Sequence, residues 1–243
     1  MPGFQGFRPA AHRFFRSLAR HNERPWFEEH RDLYEAEVRG PMRALIEEMD
    51  LRLATVAPEL VGDPRRSLFR IHRDIRFSKD KSPYKTNAGC WFYHQDAGKA
   101  VGQEAESGGA GVYFHLDGNG CFVAGGIWMP ARPTLGKIRD AVAEAPARFE
   151  AVIGAPAFRR RFGKLSDEAL LTRLPRGYAP GHPAERWLRY QSFTVSRALA
   201  ARETASARLP DTLAKDVAVM LPFLRWLNLA VGYAPKAARR LGG

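Results

Sequence analysis

Residues 110–128 read AGVYFHLDGNGCFVAGGIW, and this stretch decides the fold. Two apolar strand-like runs, Ala110–Leu116 and Cys121–Trp128, flank Asp117–Gly118–Asn119–Gly120. These turn residues accept positive φ, which the tight turns of antiparallel hairpins require. A β-hairpin is expected here. Upstream, Ala88–His94 is a third run of the same kind. Between it and the hairpin, Gln95–Gly109 carries Gly, Glu and Gln without periodicity and reads as an exposed insertion.

Working further outward, Ser67–Thr86 reads SLFRIHRDIRFSKDKSPYKT and follows the turn Gly62–Asp63–Pro64. Phe69, Ile71, Ile75 and Phe77 fall on one side at period two, with Arg70, His72, Asp74 and Arg76 on the other. A half-buried strand is expected, followed by a polar turn over Ser78–Lys85. Arg73 interrupts the apolar side and calls for a buried partner, a bulge or a strand end.

The flanks are helical. Residues 9–21 form a short helix with Phe14, Phe15 and Leu18 inward. A second helix runs from about Pro25 to Arg39, and Gly40–Pro41 stops it and starts another, in which Met42, Leu45, Ile46, Met49 and Leu53 repeat at three and four. After the sheet, Thr134 is expected to cap a helix, and Pro146 and Pro156 to mark further short ones. Residues 171–183 are proline-rich and irregular. Trp187–Val195 suits a strand returning to the sheet. A last helix covers Pro210 to about Ala230, kinked or divided at Pro222. No internal repeat or domain boundary is visible.

The expected architecture is one α+β domain over 1–243. A central antiparallel sheet of about four to five strands occupies about 67–129, with helices from about 9–55 and about 134–231 packed around it.

The composition is that of a globular chain, and the net charge of +12 favours anionic partners. Arginine dominates that charge and, with abundant Ala, Gly and Pro, also fits a GC-rich genome. Cys90 and Cys121 sit in apolar runs and behave as small hydrophobes rather than a disulfide framework. The first residues lack the apolar core of a signal peptide, and no run is long enough to span a membrane. A cytoplasmic, reduced protein without membrane partners is expected.

Two stretches, RIHRDIRFSKDKSPYKT (Arg70–Thr86) and LTRLPRGYAPGHPAERWLRYQSF (Leu171–Phe193), stand out together with WFEEHRDLYEAEV near the start and the Pro222/Asn228 region. With these motifs the chain resembles the bacterial and fungal family called domain of unknown function 2461, over nearly its whole length. The resemblance implies a single-domain protein and no established activity or catalytic residues.

Chemistry must therefore be read from side chains. Arg70, His72 and Arg76 on one strand face, with Lys79, Lys81 and Lys85 on the following loop, form the leading candidate anion site. Arginine offers a planar fork to phosphate or carboxylate and lysine a mobile point charge. Ser78, Ser82 and Thr86 would add hydroxyl donors. The competing reading is a solvated face, with Asp74 neutralising Arg73 or Arg76 and Asp80 pairing with a lysine. A second basic cluster, Arg173, Arg176, His182, Arg186 and Arg189 with Tyr178, Trp187 and Tyr190, would complete a cleft if it met the first. From it, Arg176, Arg189 and Tyr190 join the candidate ligand-binding residues. The competing reading there is a tethering loop.

The pairs His72–Asp74, His94–Asp96 and His115–Asp117 share a spacing that puts both members on one strand face, but two of them end strands beside turns, and no metal site is assigned. No cofactor is indicated either. No nucleophile elbow, Walker loop or dinucleotide fingerprint is present. For catalysis, His72 is the best general acid/base, with Asp74 orienting it or sharing a proton.

The leading expectation is a basic cleft on Arg70–Thr86 for a phosphate- or carboxylate-bearing small molecule, with phosphoester chemistry as an option. A nucleic-acid module stacking bases on Tyr84, Trp91 or Tyr178, or a protein-interaction scaffold, are the alternatives.

Overall fold

The structure, a computed structural model, describes residues 3–76, 79–99 and 108–239. Pro9–Arg20 forms α1, which buries Ala11, Phe14, Phe15 and Leu18 on one stripe. Arg24–Glu29 (α2) and Arg31–Tyr34 (α3) follow, separated at His30. The expected stop at Gly40–Pro41 does not occur. Pro41 has no N–H for the carbonyl of Glu37, and its ring crowds that carbonyl. The chain widens instead into a π turn over Glu35–Arg39, in which the Gly40 N–H reaches back five residues to the Glu35 carbonyl. It then continues directly into α4, Gly40–Val56, whose buried face is Met42, Leu45, Ile46, Met49 and Leu53.

Five antiparallel strands follow in chain order across the sheet: β1 Leu60–Val61, β2 Asn87–His94, β3 Gly111–Asp117, β4 Cys121–Ile127 and, much later, β5 Phe193–Leu199. The β3–β4 hairpin closes where its sequence predicts, with the Asp117 side chain accepting from the N–H groups of Asn119 and Gly120. Between β4 and β5 lie α5 (Arg132–Glu144), α6 (Pro146–Gly154), α7 (Pro156–Phe162) and the single turn α8 (Glu185–Leu188). Thr134 is buried inside α5 rather than capping it, because Ala131 is the extended residue and Pro133 fills the first turn. After β5 come α9 (Ala201–Thr204) and α10 (Leu209–Val231). Helix α10 runs past Pro222 without being divided.

One face of the sheet carries Cys90, Phe92, Val112, Phe114, Val123 and Val195 into the core, against α4 and α10. Gly125 lets α10 approach β4 closely: a Cβ there would sit 2.3 Å from the Met220 sulfur. Two buried carboxylates in this core are paired with arginines. Asp216 of α10 is fully buried and takes Arg161 of α7 and Arg197 of β5. Glu59 is buried and accepts from Arg225 Nε at 2.6 Å and Nη2 at 3.2 Å.

Ser67–Thr86 is not one of the strands. Leu68 bridges Cys90, and the N–H groups of Phe69 and Trp91 bond to Gly89 and Ser67. The segment then leaves β2 and folds on itself, Ile71 and Arg73 bonding to Lys85 and Pro83. Pro83 has no N–H to extend that ladder. The alternation breaks accordingly: Ile71 is buried, but Phe69 and Ile75 are exposed. Arg73 is half-buried and paired with Asp80. Phe77 and Ser78 lie outside the described residues, as does 100–107 of the expected insertion.

The Trp187–Val195 run is strand only in its last three residues. Trp187 and Leu188 belong to α8, and β5 begins only at Phe193.

Both sheet edges are met by non-strand chain. Residues after α10 return across β1 and β2: Tyr233 stacks on His94, Lys236 pairs with Asp96, and Arg239 holds Asp50 and the Leu60 carbonyl. At β5, Ser166 donates to the Thr194 carbonyl.

Candidate functional site

The π turn faces the segment after β1. Between them lies a notch of about 290 Å³, walled by Tyr34, Glu35, Arg39 and Arg43 on one side and by Arg65, Arg70 and His72 on the other. Arg31 adds a fifth guanidinium to the lining, in which Glu35 is the one acidic side chain among the described residues. Extra backbone in a π turn shifts the residues beyond it around the helix axis, and such turns recur at functional sites. Here the turn carries Glu35 and Arg39.

Arg31 is held by Glu28, Arg39 by Glu35 at 2.7 Å, and Arg70 lies 4.0 Å from Asp74. Arg43 and Arg65 have no carboxylate partner among the described residues, and the Arg43 Nε is buried without an acceptor. Burial pushes the Tyr34 hydroxyl up to about 12, Arg39 opposing and Glu35 adding to the rise, so it remains a donor. Its oxygen thus presents a proton at neutral pH.

Of the residues marked in the sequence, Arg70 and His72 meet in this notch. Arg76, Lys79 and Lys81 stand on the exposed loop, where Arg76 holds Asp74 at 2.7 Å and Lys81 donates to the Ile75 carbonyl. His72 and Asp74 are not hydrogen-bonded to one another. Arg76 holds the Asp74 carboxyl well below its usual range, chiefly through that side-chain bond. Asp80 is pulled down to about 2 by Ser82 and then by Arg73. Asp74 and Asp80 therefore take arginines as partners. Lys85 is half-buried and lies 5.6 Å from the centre of the Phe69 ring. Its pKa is lowered by burial first, then by Arg70 and Arg73.

The second basic cluster contributes nothing to the notch lining. Tyr190 is buried against Trp187 and Phe193, and its carbonyl accepts from Arg139. Arg189 is spent on Glu185, and Arg186 covers the Trp187 ring at 4.6 Å. Arg176 is exposed. Of the rings named for base stacking, Tyr84 and Trp91 are buried, and Tyr178 donates to Asp140.

The remaining His–Asp pairs are explained locally. His115 Nε2 lies 3.2 Å from Asp117 and Nδ1 3.1 Å from the Tyr113 hydroxyl, a relay along one face of β3. His94 Nε2 meets the Ala234 carbonyl, and its Nδ1 takes the Asp96 N–H. Among the described residues no three His, Cys, Asp or Glu side chains converge.

The residues that sequence reasoning missed are Arg31, Arg39, Arg43 and Arg65. Three of them sit in helical segments where scattered charge reads as a solvated face. The available signal was Gly40–Pro41 within an otherwise continuous helical pattern, which marks a place where the register of side chains must change.

A family model described as "Conserved hypothetical protein (DUF2461)" matches residues 10–226. The chain belongs to this family. The match takes in the π turn, the notch and all five strands of the DUF2461 chain. No curated protein and no solved structure matches it. No helix among the described residues is long and apolar enough to cross a membrane.

Proposed function

We propose that this DUF2461 protein binds a phosphate- or carboxylate-bearing small molecule in the notch between the π turn and residues 64–72. The observation that carries this reading is the pair Arg43 and Arg65, two guanidiniums without carboxylate partners on a concave wall shared with Arg31, Arg39 and Arg70. Like charges held together repel, and an anion with several oxygens relieves that repulsion through charge-assisted hydrogen bonds. Tyr34 supplies a neutral donor beside them. Where the ligand is a phosphoester, we assign proton transfer to His72. Asp74 is left out of that role because its oxygens are occupied by Arg76.

The test is thermal unfolding with inorganic phosphate, pyrophosphate and citrate at matched ionic strength. Ligand at about a hundred times Kd stabilises by about 2.7 kcal/mol. Stabilisation by at least one of these anions is expected, lost in Arg70→Ala and Arg43→Ala and kept in Lys79→Ala. Arg70 is largely exposed, so its removal leaves the fold intact. No stabilisation by any of them, or stabilisation that survives both arginine variants, would refute the reading.

A further inference from the structure

Among the described residues, the helices pack on the core face of the sheet, and the opposite face carries a cavity. Trp91, Tyr113 and Phe122 rise from that face on adjacent strands, Trp91 directly paired with Tyr113. The Tyr113 ring lies 5.8 Å from Phe122 and 6.1 Å from Phe69. With Trp128 they line this cavity of about 640 Å³, and among the described residues the one ionisable group in that lining besides the Tyr113 phenol is Glu168.

Three features of this cavity point the same way. Trp128 is 61% exposed, an indole left in water at the rim. Glu168 is exposed, with no ion pair or hydrogen bond from any described residue, in a chain that holds 38 lysines and arginines. Among the described residues no lysine, arginine or histidine contributes to the lining, which is acidic and π-rich on a basic protein. Aromatic faces carry negative potential, and rings grouped around a carboxylate favour a positively charged guest. The chain already uses one of these rings in this way, with the Lys85 ammonium lying over Phe69.

We infer that this cavity binds a small organic cation, a methylated ammonium head held among Phe69, Trp91, Tyr113, Phe122 and Trp128 with Glu168 as counter-ion. Phe69 lines both this cavity and the notch, but the inference does not require an anion to be bound in the notch.

The experiment titrates the full chain with tetramethylammonium chloride and, in parallel, with tert-butanol, a neutral molecule of similar bulk, at constant ionic strength. Tryptophan fluorescence and thermal shift are both read, since Trp91 and Trp128 report directly. A saturable response to the cation is expected, with a response to tert-butanol at least about tenfold weaker. Glu168→Gln should weaken the cation about tenfold and leave tert-butanol unchanged, while Trp128→Ala should weaken the cation in the thermal assay. Both residues are exposed, so the variants retain the fold. Equal binding of the two molecules, indifference to Glu168→Gln, or no saturation with the cation would each overturn the inference.

Discussion

The side-chain amide of Asn228 closes on both backbone groups of Ala110, accepting its N–H at 2.7 Å and donating to its carbonyl at 3.1 Å. Asn228 is buried near the end of α10, and Ala110 immediately precedes β3. The clamp therefore fixes where the central hairpin starts relative to the long helix. Asn228→Ala leaves a buried donor and acceptor without partners, at about 1–3 kcal/mol for each group. Urea unfolding should show a lower midpoint with an unchanged slope. Asn228→Asp keeps the acceptor but loses the donor and buries a charge, so it should be at least as destabilising.

Acid should weaken this protein partly through Glu59. Burial is the largest single influence and raises its pKa, but the bonds and charge of Arg225 together with backbone N–H groups leave the folded value below the usual 4.5. A depressed folded pKa means that the stabilisation is present above the unfolded value and is lost as pH falls through the folded one. In Glu59→Gln the amide does not titrate. Its stability should be lower than the parent's at neutral pH, and the difference should shrink below about pH 4.5 in denaturant titrations taken at each pH.

The two thiols should be silent in the native state. Cys90 and Cys121 are both free and buried, and burial pushes both pKa values up, that of Cys121 to about 12. Thiolate is the reactive form, so an aromatic disulfide reagent should label neither residue without denaturant. Labelling should appear with the unfolding transition, and rapid modification of the folded chain would contradict this burial.

The hairpin was legible because Asp117–Gly118–Asn119–Gly120 is a local signal, complete within four residues. The strand expected over Ser67–Phe77 was not, because its alternation describes side chains and says nothing about which neighbour supplies the hydrogen bonds. Among the described residues, Leu68 and its flanking amides find β2, while Ile71–Arg73 pair with the return leg Pro83–Lys85. Trp187–Val195 does lead back into the sheet, but only from Phe193, for a related reason: the turn α8 takes its first residues before the strand begins. In the notch, Arg70 and His72 were visible in a dense charged motif. Arg39 and Arg43 were not, since the π turn that re-aims them depends on a proline's effect on the preceding turn of helix.

The segments lying along β1 and β5 have one more consequence. An open antiparallel sheet presents unpaired amides and carbonyls that can template a second chain. In this protein the strand at one end is two residues long and lies under Arg239, while Ser166 occupies the Thr194 carbonyl at the other. Residues 233–239 therefore cover backbone at the β1 end that a second chain could otherwise pair with, and Ser166 does the same for one carbonyl at the β5 end.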